Sequence, residues 1–254
     1  MSETDSNEIV AHVSGPRGAV LYAIGDIHGR LDLLRKLIEG VRADIAASPP
    51  SQHVPVVLFL GDYVDRGPAS RGVVEEIIQL GKDASLRVVA VRGNHDQYVL
   101  DFLENPAIGP TWLDYGGGVT LASYGVIPPG NRTDTQAWED ASKLLAQTMP
   151  SEHLEFLNAT ILVATFGDFV FVHAGVRPGV PLAEQEPADL MSIRKAFLKA
   201  KEPLPGKVVV FGHTPFDRPS LRGGKLPLDT GAYATGILTA ARIFEDRIKF
   251  IQGR

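Results

Sequence analysis

The stretch FLGDYVDRGPAS, residues 59 to 70, joins an apolar run to a cluster of charges. The run VPVVLFL before Gly61 is typical of a buried β-strand, and Asp62, Asp65 and Arg66 follow it closely. Like charges held together at the edge of a core are costly unless a cation lies between them. The stretch therefore predicts a buried strand whose carboxyl end holds a charged site.

Strands and helices alternate around this stretch. Strands are predicted at residues 18–26, 54–62 and 85–96, and amphipathic helices at residues 30–48, 70–82 and 95–105. Strand, helix, strand, helix, strand is a βαβαβ pattern, which predicts a parallel sheet with right-handed crossovers.

The second half of the chain is richer in adjacent strands, which predicts a second, mixed sheet. The predicted elements are a hairpin over residues 161–175 that turns at Gly167 and Asp168, a short helix over residues 189–200, and strands at residues 207–214, 226–231, 236–244 and 246–252. We expect one domain over residues 1–254, with a loose leader over residues 1–17. An insert over residues 105–160, irregular to residue 135 and then helical over 136–157, is expected near the substrate cleft.

Composition excludes several classes of protein. The chain has 254 residues, of which 44% are hydrophobic and 22% charged, and this suits a globular α/β domain. The absence of cysteine excludes disulfides and thiolate metal sites. No apolar stretch is long enough to cross a bilayer, and the polar N-terminus is not a signal peptide, so a cytoplasmic location is expected. A net charge of −5 without a basic block disfavours nucleic acid as a partner.

Five predicted strands end in glycine with Asp, His or Asn. These ends are Gly25-Asp26-Ile27-His28-Gly29, Gly61-Asp62 with Asp65-Arg66, Gly93-Asn94-His95-Asp96, His173-Ala174-Gly175 and Gly212-His213-Thr214. Open α/β sheets place their sites at the carboxyl ends of strands. Of the seven histidines in the chain, His28, His95, His173 and His213 lie at these ends. Oxygen and imidazole ligands without thiolates suit manganese, iron or zinc.

The motifs GDIHG, GDYVDRG, GNHD, HAG and GHT, in this order, resemble the phosphoprotein phosphatase branch of the calcineurin-like metallophosphoesterases. The resemblance is particularly close to the compact bacterial and phage serine/threonine protein phosphatases and extends from about residue 19 to the end of the chain. It implies an α/β fold in which two mixed β-sheets form a sandwich flanked by helices, in four layers, α/β/β/α.

The resemblance also implies two divalent metal ions, with manganese preferred and iron or zinc as alternatives. Their ligands would be Asp26, His28 and Asp62 for the first ion, and Asp62, Asn94, His173 and His213 for the second. Asp62 would thus bridge the ions. A hydroxide between the two ions would attack the phosphorus atom in line.

Two further residue pairs acquire roles from the resemblance. Asp65 would hold His95, which would donate a proton to the leaving oxygen as a general acid. Arg66 would bind the phosphate in a bidentate fork, together with Asn94. A second phosphate-binding arginine is expected between HAG and GHT, and Arg194 matches its segment better than Arg177.

The expected activity is metal-dependent phosphomonoester hydrolysis, with a phosphoserine or phosphothreonine protein or peptide as substrate and dual specificity left open. The first alternative is a symmetrical dinucleoside tetraphosphate hydrolase; that family tends to lack the second Asp of GDYVDRG and to vary GHT, whereas this chain keeps Asp65 and GHT. A non-catalytic scaffold is disfavoured because no ligand is missing, and a nuclease because no basic stripe is present. Neither membrane binding nor docking of a regulatory subunit is indicated, and a monomer is expected.

Other noticeable residues have structural explanations. Asp96 is expected to cap or orient rather than to bind a metal, and Asp229 either to support a ligand or only to shape its turn. The GGG at residues 116–118 lacks the remainder of a P-loop and is predicted to be a flexible lid or loop. Packing in the core is the expected role of Trp112, Tyr124 and Trp138.

Overall fold

The computed structural model describes residues 8–15, 19–48 and 54–254 of the chain. The strands are β1 Glu8–Val10, β2 Leu21–Ile24, β3 Val56–Phe59, β4 Arg87–Ala90, β5 Val163–Phe166, β6 Phe169–Val172, β7 Val208–Phe211, β8 Lys225–Pro227, β9 Leu238–Phe244 and β10 Arg247–Gly253. The helices are α1 Leu31–Ala47, α2 Ser70–Gly81, α3 Asn94–Glu104, α4 Gly109–Asp114, α5 Gly117–Ser123, α6 Thr135–Thr148, α7 Ser151–Ala159, α8 Pro187–Ser192, α9 Lys195–Lys199 and α10 Ala232–Thr235. Short 3₁₀ turns occupy Pro106–Ile108 and Leu182–Glu184.

Within the described part of the chain, the first sheet contains six strands in the order β1-β10-β9-β2-β3-β4. Strands β2, β3 and β4 run parallel, with Ala23 opposite Leu58 and Leu58 opposite Val89. Strand β9 lies antiparallel to β2 on the other side, so the sheet is mixed. The βαβαβ pattern predicted from the first hundred residues is confirmed.

The second sheet, as far as the described residues define it, contains four strands in the order β5-β6-β7-β8. Strands β5 and β6 form the predicted antiparallel hairpin, in which Gly167 takes a positive φ of 61° at the turn. Strands β6, β7 and β8 are parallel, so this sheet is mixed as well. The carboxyl ends of β6 and β7 lead directly into His173 and the Gly212-His213 pair.

Among residues 8–15, 19–48 and 54–254, three apolar cores separate four layers, and alternate residues of single strands point into different cores. In β2, Tyr22 and Ile24 pack against the helices, while Leu21 and Ala23 pack against the second sheet. In β7, Val210 joins the core between the sheets, whereas Val209 and Phe211 face the outer helices α8 and α9. The predicted α/β/β/α sandwich of two mixed sheets is therefore confirmed. Among the described residues, no helix is both long and apolar enough to span a membrane.

The N-terminal segment differs from the loose leader expected over residues 1–17. Residues 8–10 form β1, which pairs antiparallel with β10 through Ile9 opposite Ile248. Ile9 and Val13 also pack against the core between the sheets, and this apolar contact fixes a segment whose composition looks polar. Residues 1–7 and 16–17 lie outside the described part of the chain.

The segment around the triple glycine is helical rather than a lid or loop, so that prediction is wrong. Gly116 takes a left-handed φ of 101° between α4 and α5, and Gly117 and Gly118 lie inside α5. Trp112, Tyr124 and Trp138 are buried in the helix-side core, as expected.

Two helices predicted as continuous are each interrupted. Helix α6 ends before α7 at Met149 and Pro150, because a proline disfavours helical geometry in the residue that precedes it; Met149 has a ψ of 123°. The helix predicted over residues 189–200 is divided into α8 and α9 by Ile193, which is extended, and Arg194. The second interruption turns Arg194 toward the carboxyl end of β7.

Candidate metal centre

Asp62, three residues after the end of β3, lies at the centre of the converging strand ends. Its Oδ1 is 3.3 Å from Nε2 of His173, and its Oδ2 is 3.4 Å from Nε2 of His28 and 3.9 Å from Nε2 of His95. All these side chains are buried. The two oxygens of one carboxylate thus face histidines from opposite sheets, which is the arrangement required of a bridging ligand.

Two overlapping groups of ligand atoms share Asp62. His28, Asp62 and His95 form one group and Asp62, His173 and His213 the other, and within each group the ligand atoms lie within 4.8 Å of one another. His95 therefore occupies a place in the first group that the resemblance gives to Asp26.

The other two predicted ligands lie beside these groups. Both carboxylate oxygens of Asp26 accept the backbone N–H of His213, at 3.1 and 2.9 Å. Asn94 places its Oδ1 3.1 Å from Nε2 of His173. The structure thus brings all six predicted ligands to one edge of the sandwich, although Asp26 is turned toward the backbone.

The hydrogen bonds of the histidines fix which ring nitrogen is available. His28 and His173 each place Nδ1 2.8 Å from a backbone carbonyl, of Val64 and Leu60 respectively. A carbonyl can only accept, so Nδ1 carries the proton in both rings and Nε2 is the ligand nitrogen. Nε2 of His173 then faces only oxygens, those of Asp62 and Asn94, which leaves a position suited to a cation or a second proton.

Buried negative charge accumulates around the same position. Burial and repulsion from Asp229 raise the pKa of Asp26 well above its usual range. Burial and the charge of Asp62 raise the pKa of Asp96 to about 7. Burial disfavours a charged His173, but Asp62 outweighs it and raises the pKa of that imidazole to about 10. A divalent ion would neutralise these carboxylates without protons, so the donor set fits the two metal ions that the resemblance implies.

Several of these residues have strained backbones. His28, Asp62, Asp65, Arg66 and His213 all have left-handed φ angles, between 46° and 70°. Such conformations cost non-glycine residues on the order of 1 kcal/mol or more each, and they persist only where the surroundings determine them. The loops after the strands therefore keep a backbone conformation that costs local stability but brings these side chains to the site.

His95 and Asp65 form a closely hydrogen-bonded pair beside Asp62. Nδ1 of His95 donates to Oδ2 of Asp65 at 2.7 Å, and Asp65 is completely buried. Burial opposes protonation of His95, but the charges of Asp62 and Asp65 outweigh it and raise the pKa of the imidazole.

The structure brings Arg66 and Arg194 to the site. Arg66 donates from Nη1 to Nε2 of His28 at 2.9 Å and from Nη2 to Nε2 of His95 at 3.1 Å. Nε of Arg194 donates to Nε2 of His213 at 2.9 Å. The competing Arg177 instead forms an exposed ion pair with Asp189, with Nε 2.6 Å from Oδ2.

Two acidic residues beside the ligands support the backbone. Asp96 accepts the N–H groups of Asp62, Tyr63 and Gly93 at 2.8 to 2.9 Å, so its expected orienting role is confirmed. Asp229 accepts the N–H of Gly231 at 2.8 Å and thereby shapes its turn.

Sequence reasoning missed an aromatic rim around these residues. The exposed ring of Tyr115 stacks on Tyr98, with centroids 5.3 Å apart, and meets the edge of His95. On the other side, the guanidinium of Arg66 lies 4.7 Å from the ring centroid of Tyr233. No local pattern marks Tyr115 or Tyr233, because their proximity to the site depends on the fold of the helical insert and of α10. Tyr98 lies three residues after His95 on α3, a spacing that places both on one side of the helix.

Metal binding is expected to raise the melting temperature of the protein. Manganese at about one hundred times its dissociation constant should raise Tm by about 5 °C or more, because ligands of the folded state stabilise it by mass action. Differential scanning fluorimetry of metal-stripped protein measures this shift. The Asp62→Asn variant is the matched control and should show a much smaller shift; an unchanged Tm of the unmodified protein at millimolar manganese would contradict a metal centre.

Curated relatives include both nucleotide hydrolases and a protein phosphatase. The chain is 33% identical over 159 residues to a symmetrical bis(5'-nucleosyl)-tetraphosphatase of Aromatoleum aromaticum, covering 63% of this chain and only 45% of that protein. It is 26% identical to the asymmetrical bis(5'-nucleosyl)-tetraphosphatase PrpE of Anoxybacillus flavithermus, covering 86% and 88% of the two chains. It is 28% identical to serine/threonine-protein phosphatase 1 of Salmonella typhimurium, covering 93% and 97%.

Solved structures share the fold at lower identity. A provisionally assigned diadenosine tetraphosphatase superposes with a TM-score of 0.61 at 20% identity, over 97% of this chain and 99% of that one. A cold-active protein-tyrosine phosphatase of a psychrophilic Shewanella superposes with a TM-score of 0.58 at 16% identity, over 95% and 81%.

The family comparison covers the greater part of the chain. The model of the calcineurin-like phosphoesterases matches residues 19–228, which include every strand end that carries a predicted ligand. The chain therefore belongs to the calcineurin-like phosphoesterase family, whose members are metal-dependent phosphoesterases.

Proposed function

We propose that this phosphoesterase hydrolyses phosphomonoesters of serine or threonine in proteins, and that it is a protein phosphatase. The observation that carries the proposal is the buried Asp65–His95 pair, with Nδ1 and Oδ2 2.7 Å apart. An alkoxide is a poor leaving group that requires a proton, whereas the pyrophosphate-type leaving group of a dinucleotide requires it less. A histidine held by a carboxylate beside the ligands is suited to donate that proton.

Each side chain at the site can have its own role in the reaction. When bound, two divalent ions, manganese by preference, would supply an activated water and neutralise phosphoryl oxygens. Arg66 and Arg194 present guanidinium groups that can bind the remaining phosphoryl oxygens. His95 holds a proton on Nε2 when charged and donates it to the leaving oxygen, and Asp65 keeps the ring oriented through Nδ1.

A dinucleoside tetraphosphate hydrolase is the second candidate, and a specific observation favours it. Tyr115, which is exposed and stacks on the half-buried Tyr98, offers an aromatic surface beside His95, where a leaving group would lie. Such a surface can stack a nucleobase, at about 1–3 kcal/mol per stacked base. Two of the three curated relatives described above are named as tetraphosphatases and one as a protein phosphatase. The names of these relatives therefore support the two candidate functions to a comparable degree.

A direct comparison of substrates distinguishes the two candidates. We expect kcat/KM for a phosphoserine peptide with manganese to exceed that for diadenosine tetraphosphate by about 10-fold or more, because His95 contributes most to the poorer leaving group. Release of phosphate from the peptide and of nucleotides from the dinucleotide measures both constants.

The control for this comparison is Tyr115→Ala. It should leave peptide hydrolysis within about 2-fold, as expected of an exposed side chain outside the phosphate contacts. A preference of the unmodified enzyme for the dinucleotide, together with a KM for the dinucleotide that rises in Tyr115→Ala, would reverse the assignment.

The same proposal extends to partners and location. We propose a phosphoprotein or phosphopeptide as the substrate, with neither nucleic acid nor membrane as a partner, since the net charge is −5. We propose a monomer, and a cytoplasmic location agrees with the absence of cysteine.

A further inference from the structure

The Asp65 carboxylate receives hydrogen bonds from three side chains, two of which belong to the helical insert. His95 donates from Nδ1 to Oδ2 at 2.7 Å, Trp112 donates from Nε1 to the same oxygen at 2.9 Å, and Thr120 donates from Oγ1 to Oδ1 at 2.6 Å. All four side chains are buried. The carboxylate that orients His95 is thus itself fixed at both oxygens.

Trp112, on α4, is held rigidly where it meets Asp65. Its ring packs on Phe102, with centroids 5.2 Å apart, and is shielded completely from solvent. A Cβ on Gly117 would lie 2.4 Å from the indole, so the second glycine of GGG is required for this close approach. An indole N–H can only donate a hydrogen bond, so Trp112 donates and the carboxylate of Asp65 accepts.

Thr120, on α5, contacts both the side chain and the backbone of Asp65. Its hydroxyl accepts the backbone N–H of Asp65 at 2.9 Å and lies 3.0 Å from Oγ of Ser70. One hydroxyl therefore supports a residue whose φ of 70° lies in the left-handed region.

The turn between the two helices also contacts the strained segment. The carbonyl of Gly116 accepts the N–H of Arg66 at 3.3 Å. A Cβ on Gly116 would lie 2.9 Å from that same nitrogen, so a side chain at this position would displace Arg66. The α4–Gly116–α5 unit thus lies against the back of the Asp65–Arg66 segment.

We propose that Trp112 and Thr120 are positioning residues of the phosphatase, which fix the Asp65 carboxylate so that His95 presents Nε2 to the leaving oxygen. The inference rests on the proposed function, because only a reaction that needs a general acid depends on the orientation of His95. Packing in the core does not by itself explain why Trp112 and Thr120 each donate a hydrogen bond to Asp65. The positioning role explains both bonds, and it explains the triple glycine, which allows the close approach.

The threonine provides an isosteric test. Thr120→Val keeps the shape and removes the hydroxyl, whereas Thr120→Ser keeps the hydroxyl. In the unmodified protein the N–H of Asp65 also donates to Oγ of Ser70 at 3.1 Å, so it has an acceptor besides Thr120. We expect Thr120→Val to lower kcat for an alkyl phosphate about 10-fold and that for p-nitrophenyl phosphate less than about 2-fold, since general acid catalysis is worth about 10²–10⁴ and serves the poorer leaving group. KM should stay unchanged, and Thr120→Ser should restore the rate.

The tryptophan provides a second test with a control from the same core. Trp112→Phe removes the N–H donor to Asp65. Trp138→Phe makes the same change at a buried indole whose Nε1 has no hydrogen-bond partner among the described residues. We expect Trp112→Phe to lower kcat selectively for alkyl phosphates, again by about 10-fold, and Trp138→Phe to leave the ratio of alkyl to aryl rates unchanged.

Each outcome of these tests has one meaning. Equal losses on alkyl and aryl substrates in both Thr120→Val and Trp112→Phe would overturn the positioning role and leave the phosphatase proposal intact, and so would a loss selective for alkyl phosphates in Trp138→Phe. An unmodified enzyme that cleaves diadenosine tetraphosphate and no alkyl phosphate would overturn the proposed function, and the positioning role with it. Circular dichroism and Tm of each variant keep a folding defect separate from either result.

Discussion

Asp62→Asn is expected to reduce metal-dependent phosphoesterase activity by at least about 100-fold, since loss even of a residue that only supports a metal ligand costs about 10–100-fold. Asp62 is the residue shared by both groups of ligand atoms, and its two oxygens face His173 and His28. An amide has one oxygen and no charge, so it cannot bridge two cations as a carboxylate does. Asparagine tolerates the left-handed φ of 52° at this position, so the fold should persist.

The measurement combines turnover with metal content. Activity on a phosphoserine peptide gives the loss, and the metal bound per chain after dialysis identifies its cause. Asp140→Asn, a change at a carboxylate that is 64% exposed on α6, is the control and should retain full activity. Near-normal turnover by Asp62→Asn with two ions still bound would exclude Asp62 as a bridging ligand.

His95→Asn is also expected to show a large effect, but only on some substrates. We expect kcat/KM for an alkyl phosphate to fall about 10²–10⁴-fold, because the leaving alkoxide loses its proton donor. p-Nitrophenolate leaves without a proton, so hydrolysis of its phosphate ester should fall far less. Steady-state kinetics on a series of esters with leaving groups of graded pKa measures this difference. A plot of log(kcat/KM) against the pKa of the leaving group should be steeper for the variant than for the unmodified enzyme.

Asp65→Asn serves as the companion to this variant. It keeps the shape of the side chain but removes the charge that faces Nδ1 of His95, so its losses should follow the same ranking of substrates. His95 also lies in a group of potential metal ligands, 3.9 Å from Asp62. Equal losses on alkyl and aryl esters, accompanied by loss of bound metal, would show that His95 acts as a ligand and not as the acid.

Much of the fold could be predicted because several of its strands are continuous apolar runs, as expected of strands that are buried on both faces. The runs that became β2, β3 and β7 are buried along their whole length, and each ends at a glycine that starts a polar motif. The first part of the insert, which contains α4 and α5, could not be predicted in this way, whereas the helical character of residues 136–157 could. Gly117 and Gly118 disfavour a helix on intrinsic grounds, and it is the packing of Trp112 against Gly117 that stabilises α5 there.

The candidate site, too, could be predicted only in part from the sequence. Its ligands lie at strand ends, where chain order and residue type reveal them. Trp112 and Thr120 are 47 and 55 residues from Asp65 in the sequence, and both are of types common in any core. Their contact with Asp65 depends on how α4 and α5 dock on the turn after β3, which no periodic pattern encodes.

The ligand set is divided between the two sheets, and this has a mechanical consequence. Asp62 follows a strand of the first sheet, while His173 and His213 follow strands of the second. The faces of the two sheets otherwise meet through apolar side chains such as Leu58 and Val210. A cation shared by these ligands would therefore act as a reversible cross-link in a chain that has no disulfide, and its removal by a chelator would let the halves of the sandwich separate more readily.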